Sequence, residues 1–294
     1  MNRQLFSGCG TALATPFRGG EVDYGALGAL IERQLSGGVD ALILCGTTGE
    51  PSTLTPEEKK NIWSLGVEQV RGRVPVFAGT GGNDTREVIE QSCLAQSVGV
   101  DGLLLVTPYY NKATQEGLIA HFTQVADAVR LPIVLYNVPS RTGLNLLPAT
   151  AAALCAHPRI LGVKEACADV SQAAELLRLC PDAAVYCGND ELTLPLMAMG
   201  AQGVISVASN IAPRQMVRLT RALLQGDLPS ARRAQRRLAP LMRELFTCVS
   251  PIPLKAALSA LGLCENELRL PLTPMRPTRE LLSALLCALE QEAE

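Results

Sequence analysis

Eight short apolar runs, separated by amphipathic stretches and recurring about every 25 to 30 residues, constrain this chain more than any other feature. The runs cover residues 11–14, 41–44, 74–78, 102–106, 133–136, 160–163, 183–187 and 203–207. They are continuous rather than alternating, so each is suited to burial on both faces, as in a parallel sheet. The stretches 24–36, 56–70, 85–98, 115–129, 148–156, 170–179 and 191–199 have helical periodicity. Strand then helix, repeated at this spacing, reads as a series of βα units. Eight such units predict an α/β fold, a (β/α)8 TIM barrel. The competing doubly wound sheet usually carries Gly-x-Gly-x-x-Gly after its first strand, and that motif is absent here. Beyond about residue 210 the rhythm gives way to helices at 214–224, 230–246, 253–261 and 279–291, interrupted by Pro251, Pro253, Pro271, Pro274 and Pro277. We therefore expect a barrel over residues 1–210 and a C-terminal helical extension, 211–294, packed on it.

Composition narrows the function. Of 294 residues, 48% are hydrophobic and 18% charged, with a net charge of −2 and no basic block. A nucleic-acid or polyanion partner is not indicated. No apolar run approaches the ~18 residues of a membrane span, and Met1 to Gly8 leads into a strand-like segment without a signal-type apolar region. A cytoplasmic protein is expected. The ten cysteines include no Cys-x-x-Cys pair, and most stand in apolar contexts. They read as small buried hydrophobes in a reducing compartment. Only two histidines are present, His121 on a helical stretch and His157 just beyond one. Neither a metal centre nor a Ser-His-Asp triad is expected from them.

In a barrel of this type the chemistry sits at the carboxyl ends of the strands. Lys164 closes the apolar run Ile160-Leu161-Gly162-Val163, whereas Lys59, Lys60 and Lys112 stand among polar or turn residues and Lys255 begins a helix. Burial disfavours an ammonium ion, and a lysine able to shed its proton attacks carbonyls to form a Schiff base. Position alone also allows a lysine that snorkels from a strand end into water. The other strand ends bear on the choice. They carry Gly46-Thr47-Thr48-Gly49-Glu50, Gly79-Thr80-Gly81-Gly82-Asn83, Thr107-Pro108-Tyr109-Tyr110-Asn111 and Tyr136-Asn137-Val138-Pro139-Ser140-Arg141-Thr142-Gly143. Hydroxyls with free amides suit a small carboxylate, arginine binds carboxylates in bidentate fashion, and tyrosine relays protons. A carbonyl electrophile bearing a carboxylate fits that set. The Gly79 loop alone resembles a phosphate cradle, a weak signal. Glu165, next to Lys164, should face the opposite way by strand alternation and be structural.

Those motifs, with Gly162-Val163-Lys164-Glu165-Ala166, Gly203-Val204-Ile205-Ser206-Val207, Pro251-Ile252-Pro253-Leu254-Lys255 and Leu268-Arg269-Leu270-Pro271-Leu272, resemble the 4-hydroxy-tetrahydrodipicolinate synthase (dihydrodipicolinate synthase) family over essentially the whole chain. The wider superfamily includes N-acetylneuraminate lyase and sugar-acid aldolases. The Val-Pro-Ser-Arg-Thr segment favours the synthase, because an arginine there suits a second carboxylate. The resemblance implies a lyase of the diaminopimelate and lysine pathway that condenses pyruvate with L-aspartate 4-semialdehyde, with no cofactor beyond a covalent imine. It implies Lys164 as nucleophile, Thr47 and Thr48 on the pyruvate carboxylate, and Tyr136, Thr47 and Tyr110 as a hydroxyl relay. Tyr110 would reach in from a neighbouring subunit. Arg141 would hold the semialdehyde carboxylate, and Gly188 and Ile205 would line the pocket. A homotetramer, a dimer of dimers, is implied. So is an interface pocket for L-lysine formed by Asn83, Glu87, Tyr109, Ser52, Pro56 and Lys59. Lysine-sensitive bacterial members carry histidines where Pro56 and Lys59 stand, so weak feedback is expected. Two other functions remain open at this point: a pyruvate-dependent aldolase or dehydratase acting on a sugar acid, and a phosphate-binding or regulatory barrel without imine chemistry.

Overall fold

The structure, a computed structural model, describes residues 5–290. Eight parallel strands close into a ring in the order β1-β8-β7-β6-β5-β4-β3-β2. They are β1 (Gly8–Ala12), β2 (Ala41–Leu44), β3 (Val76–Gly79), β4 (Gly102–Val106), β5 (Ile133–Asn137), β6 (Ile160–Glu165), β7 (Ala184–Cys187) and β8 (Gly203–Ser206). Around them lie α1 (Tyr24–Gly37), α2 (Pro56–Val70), α3 (Thr85–Val98), α4 (Gln115–Ala128), α5 (Pro148–Cys155), α6 (Val170–Leu179), α7 (Thr193–Ala198) and α8 (Pro213–Leu224). This is the expected TIM barrel. Helix α8 lies beyond residue 210, yet it packs on β1 and α1 and so fills the eighth place in the helical ring. Three further helices, α9 (Leu228–Glu244), α10 (Ile252–Ala260) and α11 (Arg279–Leu289), form a layer outside it, α9 against α8 and α11, and α10 against α11. The end of the helix expected over 279–291 lies outside the described residues.

Local chemistry explains where the elements begin. Thr55 caps α2 by accepting the Glu58 amide while the Glu58 carboxylate accepts the Thr55 amide, a reciprocal capping box. Asp84, Thr114 and Asp169 cap α3, α4 and α6 through side-chain oxygens. Asp40 and Asp101 stand just ahead of β2 and β3's neighbour β4. Their carboxylates accept the amides of Cys9 and Val76, both at 2.8 Å, and so tie adjacent strands together at their amino ends. β1 begins at Gly8, ahead of the expected start at residue 11, because its first residues already pair with β8, Gly8 with Gly203 and Cys9 with Val204. Helix α7 is shorter than the expected 191–199, because Asp190–Leu192 form a tight 3-10 turn and Gly200 stops the helix at φ 116°. A small hairpin, Phe17–Arg18 against Glu21–Val22, is too short to show a period in the sequence; Gly19 and Gly20 make its turn at φ 60° and 86°.

Strand alternation divides the core in two. Outward side chains such as Leu42, Leu103, Leu135 and Val163 meet the helices. Inward ones such as Ile43, Phe77, Leu104, Val134, Tyr186 and Ile205 fill the barrel. The amino end of the barrel is plugged by Phe6, which stacks on Tyr186 with centroids 4.2 Å apart and meets Phe77 edge-on at 5.9 Å. The Tyr186 hydroxyl donates to the Phe6 carbonyl at 2.8 Å, which satisfies a polar group in an apolar interior. Gly10 makes room for the plug: a Cβ there would lie 2.8 Å from the Phe6 ring.

Among the described residues no helix is long and apolar enough to cross a membrane. The cysteines divide more evenly than expected. Cys9, Cys45, Cys180 and Cys187 are buried, but Cys93, Cys248 and Cys287 are exposed, so the reading as core hydrophobes holds for only part of the set. Removing the plug tests the packing argument. Phe6→Ala deletes a buried ring and its stack, and should destabilise the protein by about 3–5 kcal/mol, read as a lowered urea midpoint. A midpoint equal to the wild type would mean that the amino end of the barrel does not depend on Phe6.

Candidate active site

Lys164 is the fifth residue of β6 and is only 5% exposed. It pairs across the sheet with Tyr136 on β5 and Tyr186 on β7. All three positions face the barrel interior. The Lys164 Nζ lies 4.1 Å from the centre of the Tyr136 ring, so the amine is seated on an aromatic face rather than in water. Gly188, just past β7, closes on the same side chain: a Cβ at Gly188 would lie 3.1 Å from Lys164 Cε and 2.7 Å from Ala166 Cβ. Ile205, 2% exposed on β8, belongs to the same interior cluster as Tyr136. Sequence reasoning named Lys164, Tyr136, Gly188 and Ile205; the fold gathers the first three at the carboxyl end of the barrel and places Ile205 in the barrel interior.

Glu165 points the other way, as alternation requires. Both its carboxylate oxygens accept from Asn137 Nδ2, at 3.0 and 3.1 Å, and they also accept the Cys167 amide at 2.8 Å and Gln172 Nε2 at 3.1 Å. It braces the backbone behind Lys164.

Thr47 and Thr48 form a 3-10 turn, Thr47–Gly49, after β2. In the ring β2 lies four strands from β6 in either direction, so the turn stands across the barrel mouth from Lys164. Thr48 is buried and Thr47 is partly exposed. The turn is fixed by a Gly49 amide to Gly46 carbonyl bond of 2.8 Å and by Thr15 Oγ1 donating to the Gly49 carbonyl at 2.9 Å. Glu50 ends the turn. Its carboxylate lies 2.9 Å from Lys255 Nζ in a fully enclosed ion pair. Burial pulls the Lys255 ammonium pKa down, and the Glu50 charge opposes that pull. Lys255 is thus more deeply buried than Lys164, a fact its helical setting did not reveal.

Arg141 lies on a single helical turn, Pro139–Thr142, beyond β5. It is exposed, and its guanidinium donates to the Ser250 carbonyl at 3.1 Å, which tethers it to the extension. Tyr110 is not brought to the site within this chain: it is 89% exposed and sits at φ 71°. Of the residues expected to form an effector pocket, Asn83 and Tyr109 meet, the Asn83 side-chain amide donating to the Tyr109 carbonyl at 3.2 Å. Glu87 lies in the first turn of α3, Ser52 in the turn Pro51–Thr53, and Pro56 and Lys59 at the start of the neighbouring α2.

The Gly79 loop has a packing explanation. A Cβ on Gly79 would lie 2.2 Å from the Cys45 carbonyl, and one on Gly81 would lie 2.3 Å from the Val106 amide nitrogen. The glycines let adjacent strand ends approach, so close packing explains them without a bound phosphate. Neither histidine joins the strand ends: His121 Nδ1 lies 2.9 Å from Thr85 Oγ1, and His157 pairs with Asp127 at 3.2 Å. No cluster of three or more metal-ligating side chains occurs among the described residues. Cys187, next to the site, has its thiol pushed up to about 12 by burial and so stays protonated near neutrality.

One buried acid escaped the sequence reading. Asp190, 2% exposed, accepts the amides of Val207 and Ala208, both at 2.9 Å, and so ties the loop after β7 to the end of β8. Burial pushes its carboxyl pKa upward. Its only local sign was an acid two residues after Gly188.

Comparison with known proteins agrees with this geometry. The model of the dihydrodipicolinate synthetase family matches residues 5–288. The 4-hydroxy-tetrahydrodipicolinate synthase of Geobacter metallireducens is 49% identical over 284 residues, covering 96% of this chain and 98% of that protein. The chloride-inhibited dihydrodipicolinate synthase of Acinetobacter baumannii, solved in complex with pyruvate, superposes with a TM-score of 0.92 at 42% identity, over 96% of this chain and 97% of that one. The enzyme of Cyanidioschyzon merolae, solved with lysine bound, does so with a TM-score of 0.93 at 40% identity, over 97% and 99%. With the match running through the barrel and the extension alike, the chain belongs to the dihydrodipicolinate synthetase family.

Proposed function

We propose that this protein is a Schiff-base lyase that condenses pyruvate with L-aspartate 4-semialdehyde to give 4-hydroxy-tetrahydrodipicolinate. The observation that carries the reading is the enclosed amine of Lys164, 4.1 Å from the Tyr136 ring at the carboxyl end of the barrel. A lysine amine at the carboxyl end of a barrel strand is placed to attack a ketone and form an imine. The relative solved with pyruvate supports the choice of first substrate.

The reaction follows from the groups at the rim. Lys164 Nζ attacks C2 of pyruvate, and water leaves as the imine forms. The cationic imine acidifies the methyl group, which gives up a proton to become an enamine. The enamine carbon attacks the aldehyde of the second substrate, making the new carbon–carbon bond. The amino group of that substrate then adds to the imine carbon and displaces Lys164, closing the ring and freeing the enzyme. Thr47 and Thr48 hold the pyruvate carboxylate from across the mouth. Tyr136, Thr47 and Tyr110 pass the protons, and Gly188 and Ile205 leave room for the methyl carbon. All the bond-making electrons come from the substrates and Lys164, so the chemistry calls for no further cofactor.

Tyr110 enters this scheme only from a second copy of the chain. An exposed tyrosine in the left-handed region is strained, and Lys112 nearby is left-handed too, at φ 44°. Asn111 Nδ2 donates to the Asn83 carbonyl at 2.9 Å and steadies the loop in this shape. A loop held in strain with its aromatic ring outward supports a role at a subunit boundary. We infer a homotetramer built as a dimer of dimers.

Borohydride trapping tests the activity. Reduction in the presence of pyruvate should add a stable mass at Lys164, and an unmodified Lys164 would refute the imine. Lys164→Arg keeps the charge without the nucleophile, so turnover should fall by orders of magnitude; near-normal turnover would refute the assignment.

Arg141→Ala should raise KM for the semialdehyde by the equivalent of about 1.5–3 kcal/mol, the worth of a hydrogen bond to a charged group, while pyruvate trapping persists. Loss of trapping in that variant would place Arg141 on pyruvate instead. Sugar acids offered in place of the semialdehyde should not turn over, and efficient turnover would favour the aldolase reading.

Feedback by L-lysine should be weak. Lys59 sets a cation beside a cationic effector, and like charges about 4 Å apart cost on the order of 4 kcal/mol near a protein surface. Pro56 offers no ring donor. Titration to millimolar lysine in a coupled assay should leave most activity, and half-inhibition below millimolar would overturn the expectation.

A further inference from the structure

We propose that the buried Glu50–Lys255 ion pair positions the Thr47–Thr48 turn, so that the C-terminal extension governs how tightly pyruvate is held. The inference rests on the reading of Thr47 and Thr48 as the pyruvate-carboxylate groups. Lys255 is a positioning residue and not a catalytic one.

Glu50 is the hinge of the argument. Its amide donates to the Thr47 carbonyl at 3.2 Å, so its backbone is part of the turn. It stands at φ 53°, ψ 48°, in the left-handed region that a residue with a Cβ adopts only when its surroundings impose it. What imposes it is the side chain. One oxygen lies 2.9 Å from Lys255 Nζ, and the other accepts the Arg269 amide at 3.2 Å. Both partners come from the extension. The two charged side chains are 2% and 0% exposed.

Lys255 is held in turn from three sides. Its Nζ donates to the Glu267 carbonyl at 2.8 Å, faces Glu50, and sits 3.9 Å above the Phe17 ring. Arg269 stacks on the same ring at 4.6 Å and grips the Glu58 carboxylate and the carbonyls of Thr53 and Gly20. The extension thus reaches around to both ends of the segment from the turn to the start of α2. A buried ion pair is a poor source of stability compared with well-packed apolar groups. Its distinctive property is direction: it fixes one carboxylate, and through it one backbone conformation. That conformation ends the Thr47–Gly49 turn after β2.

The test replaces both charges with neutral groups of similar shape, Glu50→Gln with Lys255→Met, which avoids leaving a single charge buried. Hydrogen exchange across residues 46–54 and the two KM values are the readouts. Exchange in that segment should quicken, and pyruvate KM should rise roughly tenfold, as expected of a misplaced binding turn, with the semialdehyde KM unchanged. Loss of folded protein alone would lower turnover without that split. A folded double variant with wild-type exchange and wild-type pyruvate KM overturns the inference. Should the double variant not fold, Phe17→Leu loosens the seat of Lys255 with the pair intact, and unchanged exchange and pyruvate KM in that variant overturn it equally. Failure of the wild type to trap pyruvate would instead refute the proposed activity. The exchange readout needs no substrate, so the two failures are distinguishable.

Discussion

Along β6 the alternation of side chains sends Gly162 and Lys164 into the barrel and Val163 and Glu165 outward, and the arrangement of the site depends on that parity. A register shift of one residue would put the carboxylate inside and the amine among the helices. Several features guard against it. Gly162 presses on the neighbouring strand so closely that a Cβ would lie 2.5 Å from the Ala184 carbonyl. Glu165 is held from outside by Asn137, Cys167 and Gln172. The Gly188 amide then bonds the Glu165 carbonyl at 2.7 Å, which carries the sheet past the formal end of β7 and leaves a glycine against the lysine stem. Lys164 is aimed by backbone and by groups outside the barrel interior.

Legibility in the sequence followed the range of the interactions. Lys164 could be found because its apolar run is contiguous, and the outward turn of Glu165 because alternation is local. Strand and helix order was equally plain, since each element carries its own period. The Glu50–Lys255 pair joins residues far apart in the chain, and neither position differs locally from an ordinary turn acid or helix lysine. Its burial appears only when the extension folds back over the barrel. Asp190 was missed for the same reason: its partners Val207 and Ala208 lie on the next βα unit. Phe6 lies ahead of the first strand, and nothing in its neighbours marks it as a plug.

The Gly79 loop shows how one motif supports two physical readings. Glycine permits a backbone to approach an anion, and it equally permits a backbone to approach another backbone. Only the neighbours decide. Here the neighbours are the Cys45 carbonyl and the Val106 amide, each too close for any side chain. Close approach of main chain between β2, β3 and β4 is therefore what these glycines serve.

With the amino end of the barrel plugged by Phe6, the proposed pocket lies at the carboxyl end, between the Thr47 turn and Lys164 on opposite sides of the ring. A two-substrate condensation needs such a span, because the first substrate must be held by its carboxylate while its methyl carbon stays open to the second. Lys164 is anchored by the sheet, whose strands are hydrogen-bonded on both sides. The Thr47 turn lies beyond the sheet and has no ladder of its own. Its fixed partners are Thr15 from within the barrel and the Glu50 clamp from outside it. Positional precision on the two sides of the barrel mouth thus has different sources, the closed sheet for Lys164 and the C-terminal extension for the turn that faces it.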